Sequence, residues 1–363
     1  KFTSMVSGMP FPARTLGLLG VAILAGGVWE ERSPPSEEDG RRCEIVMVRT
    51  CYPRKNVLRR FERLVGELPG REVVFSFNKF SKASSFDPSW NGTKYVEGNR
   101  KFLEILERVF GRERVVSYTD EALQAEFPSL KSVPKFRSDT YRQDSLAYIY
   151  HDETVILSLL LLKDARAREA RANTSGSSGS EEEQKEQQQQ HQKQQKQQQT
   201  KHPNPFDCGV WVLEDDLEYT GDWKQLLDKY SREKPDLVSS GMHTTEFDKD
   251  FWRTYTSQQF RDSLLRPDGK VWKHEEHLVY YSPQLLAALE ASVRNGSHAQ
   301  SEIGTATFAR FHNFSYLPIL NSDKADGNFY KNVDEFHTHE EVRAYVEELK
   351  SRGVGKLVHP AKF

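Results

Sequence analysis

Short apolar segments alternate with segments of helical periodicity from residue 44 onwards, and this alternation constrains the fold most. The apolar segments are 44-EIVMVRT-50, 72-EVVFSFN-78 and 113-ERVVSYTD-120. Between them, 56-NVLRRFERLVGEL-68 and 98-GNRKFLEILERVFG-111 place apolar residues three and four apart, as in an amphipathic helix. Strands that alternate with helices form right-handed βαβ units. The sequence therefore predicts an α/β fold with an open, mainly parallel mixed sheet flanked by helices.

A further strand is predicted at 210-VWVLEDD-216, where four apolar residues lead into Glu214, Asp215 and Asp216. In open α/β sheets, ligands bind beyond the carboxyl ends of the strands at a topological switch point. Adjacent ionised carboxylates repel one another, so a divalent cation would stabilise this group. Mg²⁺ and Mn²⁺ leave ligand positions for water and substrate phosphates. The alternative is that the acids only form a turn or cap the next helix, since 219-YTGDW-223 is typical of a turn.

The string VLEDDLEYTGDW resembles the Glu-Asp-Asp form of the DxD motif in glycosyltransferases of the GT-A fold, in particular the N-acetylglucosaminyltransferases. The resemblance implies a GT-A, Rossmann-like fold, a nucleotide-sugar donor, and Mn²⁺ or Mg²⁺ as cofactor. It also implies that Asp216 binds the metal directly, while Glu214 and Asp215 hold the donor through hydrogen bonds. Topology places Arg49 and Thr50, at the end of the first strand, beside the nucleotide base.

Downstream, 301-SEIGTATFARF-311 is similar to the helix start of the branching N-acetylglucosaminyltransferases, whose acidic residue is the catalytic base. Ser301 is predicted to cap this helix, with Glu302 in its first turn. By this resemblance Glu302 is the candidate base that deprotonates an acceptor hydroxyl. The alternative is that Glu302 only interacts favourably with the helix dipole.

The closing segment 356-KLVHPAKF-363 resembles that of a group of algal and fungal proteins with similar EDD strands, a match that extends over roughly 43–363 apart from the Gln-rich insertion. His359 in this segment could bind the metal or a phosphate, as a C-terminal His does in several GT-A enzymes; the alternative is simple packing. The string 273-KHEEH-277 lacks the spacing of the H-E-x-x-H zinc helix and is predicted to be a solvated charged turn. In 337-HTHEEVRAYVEEL-349, Thr338 and Glu341 predict a capping box.

Residues 1–42 are predicted to be a hydrophobic targeting or anchor segment and a stem. Arg14 precedes the apolar run 15-TLGLLGVAILAGGVW-29, and a polar stretch follows it. Residues 43–363 are predicted to form a single catalytic domain with a disordered, low-complexity insertion at 171–203. The Gln-rich part of that insertion contains no apolar side chain that could enter a core.

Other features favour a lumenal compartment. Three cysteines, Cys43, Cys51 and Cys208, allow at most one disulfide. An extended strand between Cys43 and Cys51 would hold them roughly 23–26 Å apart, which excludes that pair. The predicted location is the endoplasmic reticulum or Golgi lumen, as a single-pass type II membrane protein, or the secreted fraction. Four N-x-[ST] sequons agree with this location, at Asn91, Asn173, Asn295 and Asn313.

The net charge of −2 and the pI of about 6.7 provide no global basic field, which argues against nucleic acid as the main partner. The sequence predicts a metal-assisted glycosyltransferase that passes a sugar from a nucleotide-diphosphate donor to a glycan, protein or lipid acceptor. Two alternatives stay open at this point. One is another metal-dependent enzyme acting on nucleotide diphosphates, such as a nucleotidyltransferase. The other is a non-catalytic carbohydrate-binding or interaction protein of the same fold.

Overall fold

The computed structural model describes residues 43–50, 55–79, 92–133, 136–137, 144–147, 149–174, 203–247, 250–265, 267–326, 330 and 338–359. The predicted targeting segment and stem and most of the insertion lie outside these ranges. Contacts between Cα atoms group Arg42–Phe363 into one compact unit. Within the described ranges, no helix is both long enough and apolar enough to cross a membrane.

The elements follow one another in a strand-and-helix order that agrees with the predicted alternation. The strands are Glu44–Thr50 (β1), Glu72–Asn78 (β2), Val115–Tyr118 (β3), Phe136–Arg137 (β4), Asp144–Ser145 (β5), Gly209–Glu214 (β6), Glu218–Tyr219 (β7), Leu237–Glu246 (β8), Lys270–Tyr281 (β9), Tyr316–Pro318 (β10) and Leu357–Val358 (β11). The helices are Lys55–Glu67 (α1), Gly92–Phe110 (α2), Asp120–Glu126 (α3), His151–Thr174 (α4), Trp223–Ser231 (α5), Asp250–Thr254 (α6), Gln258–Leu264 (α7), Pro283–Arg294 (α8), Ser301–Phe311 (α9) and His339–Ser351 (α10).

Seven strands form the main sheet in the order β10-β8-β9-β6-β1-β2-β3. The pairs β1–β2, β1–β6, β2–β3 and β8–β10 are parallel, whereas β9 is antiparallel to both β6 and β8. Two small antiparallel pairs, β7–β11 and β4–β5, lie outside this sheet. The prediction of a mainly parallel mixed sheet flanked by helices is therefore confirmed.

Both faces of the sheet are covered, which explains why β1 is apolar along its whole length. Ile45 and Met47 belong to one apolar core, and Val46 and Val48 belong to a second one. Because successive side chains of a strand point to opposite faces, the two cores lie on opposite sides of β1. Helices α4, α8 and α9 contribute to the first core, and α1, α5 and α10 contribute to the second.

A disulfide joins the starts of the two central strands. Cys43 and Cys208 directly precede β1 and β6, their Cα atoms lie 4.7 Å apart, and their sulfurs are bonded. Gly209 N also donates to Cys43 O at 3.1 Å. The bridge therefore fixes the register of the strands that carry Arg49, Thr50 and Glu214 at their far ends.

Local predictions for three helices have different outcomes. Helix α4 ends at Thr174, so its last residues lie inside the insertion predicted over 171–203 and are helical. The capping box of Thr338 and Glu341 is confirmed at the start of α10. Ser301 does not cap α9, because Gln300 is the N-cap and the Ser301 hydroxyl donates instead to Ile149 O at 2.9 Å.

The prediction of a solvated turn at 273-KHEEH-277 is wrong. This segment lies inside the 12-residue strand β9, where Lys273 and Glu275 pair with β8. His274 is fully buried, and its Nε2 lies 3.2 Å from Ser301 O. The strand tolerates these polar residues because each of them finds a partner on a neighbouring element, as the next subsection describes for His277.

Candidate functional site

The carboxyl ends of β1 and β6 meet at the point where the strand order reverses. β2 and β3 follow on one side of β1, whereas β6 lies on the other side. Arg49 of β1 is in register with Glu214 of β6. An open α/β sheet leaves a crevice at such a switch point, where ligands bind. The acidic residues therefore occupy the position that the sequence predicted for them.

Two histidines from distant parts of the chain complete this group. His277 Nδ1 lies 2.8 Å from Glu214 Oε2, and His359 Nε2 lies 3.0 Å from the same oxygen. His359 Nε2 is also 3.2 Å from Asp216 Oδ1. The two imidazole rings stack with centroids 3.5 Å apart and planes inclined by 21°. We call Glu214, His277 and His359 the carboxylate–histidine cluster.

The carboxylate–histidine cluster has the donor atoms of a metal site. One ligand-type atom from each of its three residues lies within 4.8 Å of the other two. Imidazole is a usual ligand of Zn²⁺, Fe²⁺ and other later first-row ions, whereas Mn²⁺ is bound mainly by carboxylate, carbonyl and water oxygens. Mg²⁺ prefers oxygen ligands in near-ideal octahedral geometry. The three residues thus combine ligand types of several first-row divalent ions, Mn²⁺ among them, and suit Mg²⁺ less well.

The charges in the cluster support one another. Burial disfavours ionised Glu214, but hydrogen bonds from His277 and His359 outweigh burial and hold the pKa of Glu214 well below its usual range. Burial also disfavours protonated His359, but hydrogen bonds to Asp216 and Glu214 outweigh it and raise the pKa of His359 to about 9. Without a metal, His359 is therefore protonated at neutral pH, and its positive charge stabilises the nearby carboxylates of Glu214 and Asp216.

His359 contacts both Asp216, the predicted metal ligand, and Glu214, a predicted donor-binding residue. Glu214 provides the carboxylate of the cluster, whereas Asp216 lies next to it and contacts His359. Asp215 points to β1, where Thr50 Oγ1 donates to its Oδ2 at 2.7 Å. Arg49 Nη2 donates to Ala147 O at 3.0 Å, and its buried Nε has no hydrogen-bond partner among the described residues.

Basic side chains of α1 and α10 hold the turn that follows Glu214. Arg60 Nη1 donates to Asp215 O at 3.2 Å, and its Nε lies 3.0 Å from Glu218 Oε2. Arg63 and Lys350 also contact Glu218, at 2.8 and 3.1 Å. Buried Glu218 thus has cations from α1 and α10 around it, which compensate for its desolvation. These contacts fix the backbone that presents Asp215 and Asp216 to the crevice.

Two aromatic neighbours contact the His277 ring, and the first is the stacked ring of His359. Its second aromatic contact is Tyr330, whose ring centroid lies 5.8 Å away at an angle of 79°. The Tyr330 hydroxyl lies 3.0 Å from Ser240 Oγ, and Ser240 in turn donates to Glu275. Groups around a ligand that fix its orientation are a regular part of metal sites. Tyr330 therefore connects His277 to strand β8.

Glu302 is not part of the carboxylate–histidine cluster. It lies in the first turn of α9, as predicted, and its Oε2 is 2.8 Å from Lys273 Nζ. Lys273 precedes His277 by four residues on β9, which is roughly 13 Å along a strand. Glu302 therefore contacts a part of β9 that is four residues away from the cluster.

His277 is the main residue that the sequence interpretation missed. A histidine three residues from another one on a polar segment carries no helical metal-binding pattern, so the spacing pointed away from a site. The available signal was the apolar run 278-LVYY-281, which continues the polar segment directly and predicts a strand through it.

Comparison with known proteins adds no family assignment. No protein-family model matches the chain, and no curated protein matches its sequence.

Proposed function

We propose that the chain is a metal-dependent glycosyltransferase of the GT-A type that uses a nucleotide-diphosphate sugar. The single observation behind this proposal is the carboxylate–histidine cluster at the switch point between β1 and β6. A mainly parallel sheet with ligand-type side chains at this edge suits a nucleotide-bearing substrate. The EDD string of β6 adds its resemblance to the DxD motif.

The residues of the site suit a division of labour. A divalent cation held by Glu214, His277 and His359 would neutralise the departing nucleoside diphosphate. Asp215, already oriented by Thr50, can accept hydrogen bonds from the donor. Arg49 lies at the same edge, and its buried Nε has a hydrogen bond left to give. These side chains would bind and orient the donor in the crevice.

Glu302 is the proposed base for the acceptor hydroxyl. Its side chain is 36% exposed, so an incoming hydroxyl can reach its carboxylate. Lys273 is its present partner and would have to move or share the carboxylate when an acceptor binds. Because Glu302 lies apart from the cluster, its replacement can remove turnover without removing the metal.

A lumenal location belongs to the same proposal. A disulfide such as the one between Cys43 and Cys208 is typical of oxidising compartments. The described sequon residues Asn295 and Asn313 are both exposed, so a glycan could be attached to either. The membrane anchor in residues 1–42 remains a prediction from the sequence.

A thermal-shift screen tests the proposal directly. UDP-, GDP- and CMP-linked sugars are each added with and without Mn²⁺, and the melting temperature of the full chain is recorded. One class of donor is expected to raise the melting temperature only with Mn²⁺, since binding to the folded state stabilises it. No stabilisation by any nucleotide under any metal condition would refute the transferase proposal.

Glu302→Gln separates turnover from binding. The variant should keep the Mn²⁺-dependent donor shift of the wild type and lose sugar transfer to acceptor or water. Glu246→Gln, an exposed carboxylate near the tip of β8, is the matched control and should retain both. If the wild type and Glu246→Gln both bind a donor but do not turn it over, the non-catalytic binding alternative replaces the proposal.

A further inference from the structure

A second group of ionisable side chains lies away from the carboxylate–histidine cluster, inside the first apolar core. The first turn of α4 contributes Asp152 and Glu153, which are 7% and 2% exposed. Carboxylates are almost never buried this deeply unless they are paired. The partners of these two acids therefore decide what this part of the core can do.

Asp152 has only neutral donors among the described residues. Thr305 Oγ1 donates to its carboxylate at 2.6 Å, and Tyr281 donates to its Oδ1 at 3.0 Å. Burial, followed by the neighbouring charge of Glu153, raises the pKa of Asp152 to about 7. The surroundings of Asp152 are thus short of positive charge.

Glu153 is satisfied on one oxygen only. His298 Nδ1 lies 2.8 Å from Glu153 Oε1, and the other ring nitrogen of His298 contacts Ser129. Glu153 Oε2 has no hydrogen-bond partner among the described residues, and neither has the buried Ser297 Oγ. An unpartnered buried polar atom costs free energy, so Glu153 Oε2 needs a donor and the Ser297 hydroxyl, which can also accept, needs a partner.

Both unpartnered atoms belong to residues that line one cavity. It is partly open to solvent and leaves about 20 Å³ of space for the centre of a water-sized molecule, and Asp152 and Gly304 also line it. Most of the remaining wall is apolar, and it consists of Phe260, Leu264, Leu289, Val293, Ala299 and Phe308 together with one polar residue, Ser292. The cavity thus combines an acidic end with an apolar wall.

We propose that this cavity binds a small primary alkylammonium ion. Its N–H groups would donate to Glu153 Oε2, Ser297 Oγ and the Asp152 carboxylate, and its alkyl group would contact the apolar wall. A primary ammonium offers three donors and one positive charge, which are what these atoms lack. Charge and hydrogen bonds together make up for the cost of burying the acids. The site is independent of the carboxylate–histidine cluster.

Titration of the full chain with methylammonium chloride tests the proposal. Sodium chloride at equal ionic strength controls for salt, and tetramethylammonium chloride controls for charge without N–H donors. Methylammonium should raise the melting temperature in a saturable way, and the two control salts should not. Calorimetry on the same solutions gives the dissociation constant.

Two variants locate the site. Glu153→Gln removes the charge that faces the cavity and should weaken methylammonium binding at least tenfold. Gly304→Ala tests occupancy in a different way. The added Cβ would lie 3.4 Å from Ala299 Cβ and 3.7 Å from Asp152 Oδ2, so it occupies part of the cavity without a severe clash. Alanine is a better helix former than glycine inside α9, so this variant should fold.

Asp262→Asn is the matched control, because it removes an exposed carboxylate from α7 and does not line the cavity. It should bind methylammonium as the wild type does. Equal shifts with methylammonium and tetramethylammonium would overturn the proposal. Unchanged affinity in Gly304→Ala would overturn it as well, even if Glu153→Gln fails to fold.

Discussion

Replacement of His359 by Gln should remove a steep pH dependence from metal binding. In the metal-free protein the pKa of His359 is about 9, because Asp216 and Glu214 outweigh its burial. A metal needs the unprotonated ring nitrogen, so the ion must displace a proton from His359. Affinity should therefore rise with pH up to about 9.

The expected size follows from the fraction of His359 that is unprotonated. With a pKa of about 9, this fraction rises from about 1% at pH 7 to about 24% at pH 8.5. The affinity for Mn²⁺ should thus increase about 25-fold over this range, which is about 1.9 kcal/mol. The His359→Gln variant should bind more weakly at pH 8.5 and should lack this increase.

Anaerobic calorimetry in two buffers of different ionisation enthalpy measures the affinity for Mn²⁺ and the number of protons released on binding. At pH 7.5 the wild type should release close to one proton for each bound Mn²⁺, and His359→Gln should release clearly less. His243→Gln, which replaces an exposed histidine of β8, is the control and should behave as the wild type. An affinity that changes less than threefold between pH 7 and 8.5 would refute the reasoning.

The same proton affects the stability of the metal-free fold. Because the pKa of His359 is raised in the folded state, its stabilisation is complete below the ordinary histidine pKa of 6.5. It is lost as the pH rises through about 9. Urea unfolding of the metal-free wild type should therefore show lower stability at pH 9.5 than at pH 7, and His359→Gln should show less of this loss.

Three further predictions concern neighbouring contacts. Thr50→Val removes the hydrogen bond that orients the Asp215 carboxylate. Hydrogen bonds to charged groups contribute about 1.5–3 kcal/mol, so calorimetry should show that the dissociation constant of the stabilising nucleotide sugar rises at least about tenfold. Glu214→Gln should weaken Mn²⁺ binding more than Asp216→Asn does, and the opposite ranking would return the metal to Asp216. Replacement of both Cys43 and Cys208 by serine opens a loop of 165 residues, for which the chain-entropy relation gives about 5 kcal/mol of stabilisation. Urea unfolding should show that the free energy of unfolding falls by at least about 2 kcal/mol relative to the oxidised wild type.

Local patterns predicted the strands and helices that hold the site. β1 and β2 begin and end where the apolar runs 44–50 and 72–78 do, because a strand covered on both faces must be apolar throughout. The position of Glu214 at the end of β6 followed from the same rule. The sequence could therefore indicate which edge of the sheet carries the acids.

The composition of the cluster could not be predicted in the same way. Glu214 and His359 are 145 residues apart in the sequence, and no local spacing relates them. Their contact depends on the antiparallel pair β7–β11, two short strands that bring the end of the chain back to the turn after β6. Pairs of two residues leave almost no pattern in a sequence, so only the folded chain shows that His359 contacts Glu214.

The segment 273-KHEEH-277 argues most strongly that this region of the protein serves a function. A strand inside a sheet is most stable with apolar or β-branched residues, yet β9 places two histidines and two glutamates there. Each of these four side chains has a described contact: His274 with Ser301, Glu275 with Ser240, Glu276 with His151 and His277 with Glu214. Buried polar pairs of this kind seldom add net stability over apolar residues of similar size. Local rules are broken in this way mainly at functional sites, which is why His277 should matter more for metal and donor binding than for stability.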